Sequence, residues 1–504
     1  MDAYEQLMVK NRELEAMYSA IGLIHWDLET YMPPGGIQLR GEQLSVLSRI
    51  HHERATTPEL GKLIVAAEKE SSSMNEVQNR NLYLARRQYD IATKIPGELI
   101  AKLTRQQAIT TDMWKKAKAA KDWKMFEPEL QKMVDLSREV AEIAKDVKGI
   151  SILYDSMLDE FERNLTSDMV SKVFGQLRDR LIPLTQKCAE ASEGIDVSFL
   201  SRKVPIDIQR RIATDLANLI DYDTTSENAR GRVDETEHPF TSGYYDDVRV
   251  TVHYHEDNVM SLIYAMLHEG GHALYELNLN REYMYQPVGR AASFGIHESM
   301  SRFIENIVGR TPEFWEYYLP KLNDFTGNTF SGTALEEFIK AVNLVRPSKI
   351  RIEADEVTYS LHIIIRFEIE KALFSDKISV SELPQVWNEK YEEYLGVMFD
   401  DDSEGVMQDT HWASGYYGYF PSYALGNVYD GMWLQKINND LQNWKDMIRK
   451  GDLKPINKWL VDNVMQKSAL YDPADLVKNV TGSELDATPF LDFLEHKYSH
   501  MFGF

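Results

Sequence analysis

His268 and His272 stand four residues apart in the run Leu267-His268-Glu269-Gly270-Gly271-His272-Ala273-Leu274-Tyr275-Glu276. Apolar side chains recur around them at helical spacing, including Leu262, Ile263, Met266, Leu267, Ala273, Leu274 and Leu277. Residues four apart on a helix share one face, so the two imidazoles point the same way. Two imidazoles so placed can grip one metal ion, and Glu269 can reach a water molecule beside it. Such a triplet implies metal-assisted hydrolysis, above all of a peptide bond.

A catalytic zinc usually takes three protein ligands and keeps one position open. The third ligand is sought downstream, in Gly295-Ile296-His297-Glu298-Ser299-Met300-Ser301-Arg302. This stretch reads as a second helix ending near Gly309. Between His272 and Glu298 lie 25 residues, enough for a turn, a loop and a returning helix. His297 is the rival, but adjacent helix positions diverge by about 100°, so only one of the two can face the ion. The tight spacing of an all-histidine site is absent, which favours Glu298. An acid four residues beyond the third ligand would orient a metal histidine; Arg302 stands there instead. Glu305, Asp355 or a backbone carbonyl must serve. Glycines at 270 and 271 are costly in mid-helix, at about 1 kcal/mol each. Either a neighbouring segment approaches the backbone there, or the helix is simply packed tightly.

The elements that must position these groups are mostly helices. Residues 2–27, 37–54, 73–93, 96–120, 123–147 and 167–193 carry helical patterning, with a sharp break at Met32-Pro33-Pro34-Gly35-Gly36. Residues 246–254 alternate and are rich in β-branched side chains, which predicts a strand. Phe199–Val204 is its expected partner. The metal helix should run from about Asn258 to Leu279, capped by Asp257, and a further strongly patterned helix is expected over Glu353–Leu373. His253 and His255 alternate near the strand's end; the second metal they suggest is not adopted. The expected architecture is mainly α with a small sheet near the site, one unit over residues 1–504. It would form two intimate lobes around a deep cleft.

Acidic residues outnumber basic ones, 79 to 56, for a formal charge of −23. Nucleic acid and anionic membrane surfaces are therefore poor partners. No apolar run approaches the roughly 18–20 residues that span a bilayer. Cys188 is the only cysteine, so no disulfide forms within the chain. It reads as packing. With no export signal at the N-terminus, a cytoplasmic location is expected.

Further motifs carry a resemblance. They are Trp26-Asp27-Leu28-Glu29-Thr30-Tyr31-Met32-Pro33-Pro34-Gly35-Gly36, His238-Pro239-Phe240, Asp247-Val248-Arg249-Val250-Thr251 and His297-Glu298-Ser299. Ile350-Arg351-Ile352-Glu353-Ala354-Asp355 and Gly405-Val406-Met407-Gln408-Asp409-Thr410-His411-Trp412 follow. With the H-E-x-x-H run and in this order, they make the chain resemble the carboxypeptidase Taq family of metallocarboxypeptidases. The resemblance extends over nearly the whole chain. It implies a helical fold similar to that of neurolysin and angiotensin-converting enzyme, divided by a long groove. It also implies release of single residues from peptide C-termini with broad tolerance, and a homodimer. Zinc is the implied ion, and cobalt can substitute.

The resemblance gives roles to other residues. A free carboxylate is best met by arginine, whose planar fork matches it. Arg351 is assigned to it, with Arg249 as a second anchor or a structural partner of Asp247 or Asp355. A buried salt bridge is the competing reading for each. His411 is expected to donate to the carbonyl oxygen or the substrate backbone, and Tyr423 to complete that site. The alternatives to a carboxypeptidase are an oligopeptidase cutting internal bonds in the same groove, and a non-enzymatic peptide-binding scaffold.

Overall fold

Helices form where the spacing predicts them. In the computed structural model, which describes all 504 residues, they span Ala3–Glu29, Ile37–Ala55, Glu76–Lys94, Gly97–Ala120, Trp123–Lys148 and Ser167–Ala191. Local chemistry sets their ends. Asp2 and Asn75 form reciprocal caps with Glu5 and Gln78, satisfying backbone N–H groups that have no partner in the first turn. Gly149 closes Trp123–Lys148 in the left-handed conformation. The Pro-Pro-Gly-Gly break narrows to one 3-10 turn, Pro34–Gly36, which runs straight into the next helix. No helix is long and apolar enough to cross a membrane.

A three-stranded sheet stands just before the metal helix. Its strands are β1 (Gly231–Glu235), β2 (Thr241–Tyr244) and β3 (Asp247–Val252). β3 lies in the middle, parallel to β1 and antiparallel to β2. Period-two alternation sends Val248, Val250 and Val252 into the core, all fully buried. Arg232 and Arg249 are paired across the strands, and that like-charge contact is relieved by Asp234 and Asp247 two residues away. The expected partner, Phe199–Val204, is not a strand. Ser198–Ser201 forms a 3-10 turn instead, and Val204 N–H donates to the Glu256 carbonyl at 2.7 Å, past the end of β3.

The metal helix runs Val259–Asn278 and is capped by Asn258 rather than Asp257. Asn258 lies three residues before Ser261, whose N–H its Oδ1 accepts at 3.2 Å. The returning helix covers Phe294–Arg302 and continues as a π turn, Phe303–Val308. A third helix, Pro421–Asp440, packs on its far side. Glycines make this sandwich possible. A Cβ on Gly271 would lie 2.5 Å from the Met300 carbonyl oxygen and 2.6 Å from Ser301 Cα. One on Gly426 would lie 2.8 Å from Glu298 Cγ. A neighbouring helix is therefore what approaches the backbone at Gly271; at Gly270 it is the Ile220 side chain.

The helix expected from Glu353 begins only at Tyr359. Asp355 diverts the chain before it. Its carboxylate accepts N–H groups from Arg346, Val357 and Thr358, holding a turn that a helix cannot include. Most of the helices share one continuous apolar core, in which Trp315, Trp387 and Trp433 are fully buried. A small satellite core of Leu7, Leu60, Ile64, Ala67, Leu82 and Ala85 joins the first helices. Cys188 is buried within the main core, and burial pushes its thiol up to about 12, as inert packing requires.

The glycine contacts predict opposite outcomes for two alanine substitutions. Gly271→Ala should destabilise the fold by about 1–3 kcal/mol through forced separation of the two helices. Gly22→Ala, with no atom within 4 Å of the added Cβ, should be neutral or stabilising by up to about 1 kcal/mol. Urea unfolding of both variants checks this; equal stabilities would mean that the helix pair relaxes freely.

Candidate metal centre and peptide site

The metal helix and the returning helix bring His268, His272 and Glu298 together. Their ligand atoms all lie within 4.8 Å of one another. Glu298 Oε2 is 3.3 Å from His272 Nε2 and 3.7 Å from His268 Nε2. Each imidazole is oriented through its other nitrogen. His268 Nδ1 faces Glu305 Oε2 at 2.9 Å, and His272 Nδ1 faces the backbone oxygen of His297 at 3.1 Å. With Nδ1–H donating, both Nε2 lone pairs are left for an ion. So an acid and a carbonyl both serve, one for each histidine. Asp355, the other candidate, is occupied by its turn. The His297 ring packs against His272, with its Nδ1 2.6 Å from His272 Nδ1 and its Nε2 3.0 Å from Glu276 Oε1, on the side of His272 away from Glu298 Oε2. Two imidazoles and one carboxylate make a donor set that fits zinc with one position open.

Charge is arranged to suit these roles. Burial opposes ionisation of Glu298, but Arg302 and His268 outweigh it and hold the carboxyl well below its ordinary range. Arg302 Nε donates to Glu298 Oε1 at 2.9 Å. Burial lowers His272 to about 3, keeping it neutral as a ligand must be. Glu269, the residue between the histidines, is buried, and burial raises its carboxyl above the ordinary value. Thr241 of β2 donates to Glu269 Oε2 at 2.7 Å.

Residues 6–498 match the model of a family described as carboxypeptidase Taq (M32) metallopeptidase. The chain belongs to that family. It is 36% identical to thermostable carboxypeptidase 1 of Thermus thermophilus over 99% of both chains. It is 35% identical to carboxypeptidase 1 of Bacillus subtilis over 96% of this chain and 95% of that one. The solved M32 carboxypeptidase of Deinococcus radiodurans R1 superposes with a TM-score of 0.94 at 32% identity, covering 100% of both chains. Metallocarboxypeptidase 1 of Trypanosoma cruzi also gives 0.94, at 30% identity, over 98% of this chain and 99% of that one. The protein is a metallocarboxypeptidase.

In this M32 chain the remaining motifs clasp one another. Arg351 Nη2 and Nε donate to Asp409 Oδ1 at 2.8 and 3.1 Å, and Arg351 N–H donates to Gln408 Oε1 at 2.9 Å. Arg366 takes the other oxygen, with Nε 2.7 Å from Asp409 Oδ2. Two guanidinium groups on one carboxylate leave a net positive charge. His411 and Tyr423 stand beside this trio. Tyr423 OH is 3.5 Å from His411 Nε2, and the Arg351 guanidinium lies 5.2 Å from the Tyr423 ring. Burial, helped by the two arginines, lowers His411 to about 4. Arg249 is placed apart from this group. Its Nε donates to Asp247 at 2.7 Å, and its guanidinium lies 5.7 Å from the Trp26 ring. Thr251 pins the His238-Pro239-Phe240 turn by accepting Phe240 N–H at 2.8 Å.

Several residues that shape the site escaped sequence reasoning. Thr241 could have been suspected, because it follows the His-Pro-Phe motif directly. Glu162 and Glu370 gave no signal; each stands among other charged residues, in Asp159-Glu160-Phe161-Glu162-Arg163 and Glu368-Ile369-Glu370-Lys371. Glu370 accepts Trp412 Nε1–H at 2.7 Å, Tyr154 OH at 2.8 Å and Gly418 N–H at 2.9 Å, holding the loop of His411. Glu162 accepts from Gly295 N–H, from Ser422 OH at 3.0 Å and from Tyr429 OH at 3.2 Å. It thereby ties the helix of Glu298 to the helix of Tyr423. The loop is also held from the helix Gly97–Ala120, where Trp114 Nε1 and Lys118 Nζ donate to the carbonyls of Met407 and Gln408 at 2.8 and 2.9 Å.

Burial raises Glu162 from 4.5 to about 7. The folded state then binds the extra proton between these values, and this stabilises the fold fully below 4.5 and not at all above about 7. Wild-type Tm should fall between pH 4.5 and about 7 more steeply than that of Glu162→Gln, which cannot titrate. Parallel curves would show that Glu162 ionises normally.

Proposed function

We propose that this metallocarboxypeptidase is a zinc enzyme of broad specificity that removes single residues from peptide C-termini. The convergence of His268 Nε2, His272 Nε2 and Glu298 Oε2 beside buried Glu269 carries this reading. Those three residues would hold the ion, and cobalt would fit the same donors. Bound there, zinc supplies Lewis acidity, lowering the pKa of water and polarising a carbonyl. Glu269 takes a proton from the attacking water and delivers it to the leaving nitrogen. Its raised pKa favours that return, because a weaker acid holds a proton nearer neutrality. Thr241 fixes the carboxylate that does this. Neutral His411 and Tyr423 offer polar hydrogens where charge develops on the carbonyl oxygen.

Arg351 is assigned to the terminal carboxylate. Its support is the net charge of the Arg351–Asp409–Arg366 trio, which still attracts an anion although Asp409 is paired. Arg249, committed to Asp247 and stacked on Trp26, serves as a sheet anchor in this reading. The substrate lies in a groove between two helical lobes, as in neurolysin and angiotensin-converting enzyme, within one unit over residues 1–504. The working form is a cytoplasmic homodimer, a reading that rests on the family resemblance and on a lone buried thiol.

One observation favours a second reading, an oligopeptidase cutting internal bonds: Arg351 already has a carboxylate partner. A timed digest of a peptide and its C-terminal amide, read by mass spectrometry, separates the two. The free acid should lose single terminal residues, the amide should persist, and chelation should stop the reaction until zinc or cobalt is restored. Arg351→Ala should raise KM for the acid and narrow the difference in cleavage between acid and amide. Equal internal cleavage of both peptides would establish the oligopeptidase.

Glu269→Gln should retain the metal by elemental analysis yet lower kcat by about 10²–10⁴-fold. A normal rate in that variant would remove Glu269 from the mechanism.

A further inference from the structure

Phe294, the first residue of the returning helix, is 51% exposed. It is not an isolated apolar side chain. Its ring lies 5.5 Å from Phe161 and 5.6 Å from Tyr419, and those two rings are 5.0 Å apart. All three pairs meet edge to face, the arrangement aromatic quadrupoles prefer. Tyr416, 49% exposed, adds a fourth ring 6.0 Å from Tyr419. An open aromatic cluster of this kind marks a contact surface for something apolar.

Tyr419 joins the cluster to the reacting groups. Its ring is 5.6 Å from His411 and 5.2 Å from Tyr423. The returning helix gives the direction. Phe294, Glu298 and Arg302 are spaced four apart, so they follow one face at intervals of about 6 Å. Beyond Arg302 comes Tyr359, whose ring lies 4.1 Å from the Arg302 guanidinium and whose hydroxyl is 3.3 Å from Arg351 Nη1. Tyr423 links Arg351 to the aromatic cluster, its ring 5.2 Å from the Arg351 guanidinium and 5.2 Å from the Tyr419 ring. A peptide whose carboxylate meets Arg351 and whose scissile carbonyl meets Tyr423 then continues toward Tyr419 and Phe294. An extended chain advances about 3.3–3.6 Å per residue, so one helical turn reaches the first two residues upstream of the cleaved bond.

We propose that Phe161, Phe294, Tyr416 and Tyr419 form a subsite for an apolar or aromatic side chain within the two residues N-terminal to the scissile bond. The polarity of this subsite rests on Arg351 as the carboxylate anchor. It adds a preference upstream of the bond and leaves tolerance at the terminal residue untouched.

The test uses tetrapeptides with a fixed terminal residue and either Phe or Ala at each of the two upstream positions. A second series holds those positions as Ala and varies the terminal residue between Phe and Ala. In the metal-loaded enzyme, kcat/KM should favour Phe at an upstream position by about tenfold. Phe294→Ala should bring that ratio close to one, and Phe294→Tyr should restore it, since a ring is what the cluster supplies. Unchanged thermal melting would show that both variants fold. No upstream preference in the wild type, or a preference that survives Phe294→Ala, would overturn the proposal. If Phe294→Ala instead alters the terminal-residue ratio, the cluster lies on the other side of the bond and the proposal also falls. Arg351 is judged separately, by the acid and amide peptides, so its failure is not confused with failure of the subsite.

Discussion

The close seating of the returning helix between Gly271 and Gly426 is the constraint on which the site depends. Glu298 reaches the two histidines only because no side chain stands between the backbones on either side. The same seating turns Arg302 onto Glu298 and Tyr359, and it aligns Glu305 with His268. The π turn contributes to that alignment. It widens the helix at Phe303–Val308 and lets Glu305 face the metal helix two turns beyond Glu298. Geometry that looks like metal chemistry is therefore set first by helix packing.

Electrostatics is organised around the same contact. Each carboxylate of the site is assigned a state by its neighbours. Glu298 is held ionised by Arg302, Glu305 by Arg302 and His268, and Asp409 by two arginines. Glu269 has no cationic side chain bonded to it and receives only the Thr241 hydroxyl, so burial governs it. One acid kept ready for protons among others kept charged would set the proposed base apart from the proposed ligands. Glu162 and Glu370 extend the pattern outward, where buried acids without cations serve as hydrogen-bond hubs.

Much of this was legible in the residues. Long helices announced themselves by period, and the H-E-x-x-H run with Glu298 placed the donor set, because helical spacing is a strong geometric rule. Edge strands were not legible. Gly231–Glu235 and Thr241–Tyr244 are too short and too polar to show alternation, whereas β3, buried on one face, shows it plainly. The start of the helix at Tyr359 was missed because the turn held by the Asp355 carboxylate overrides local propensity. Spatial partners across long separations, such as Glu162 with Gly295 or Arg366 with Asp409, leave no trace in a single sequence. Arg351 shows the limit from the other direction: its motif is visible, but the carboxylate that neutralises it appears only when the loops meet.

The hold of Trp114 and Lys118 on the carbonyls of Met407 and Gln408 spans almost 300 positions of the chain. During synthesis, a ribosome emitting the first half of the molecule produces a helix whose partners do not yet exist. The metal donors themselves are made long before the loop that carries His411. The loop of His411 can therefore be fixed in place only after the last quarter of the chain has begun to emerge and has met a helix made in the first quarter.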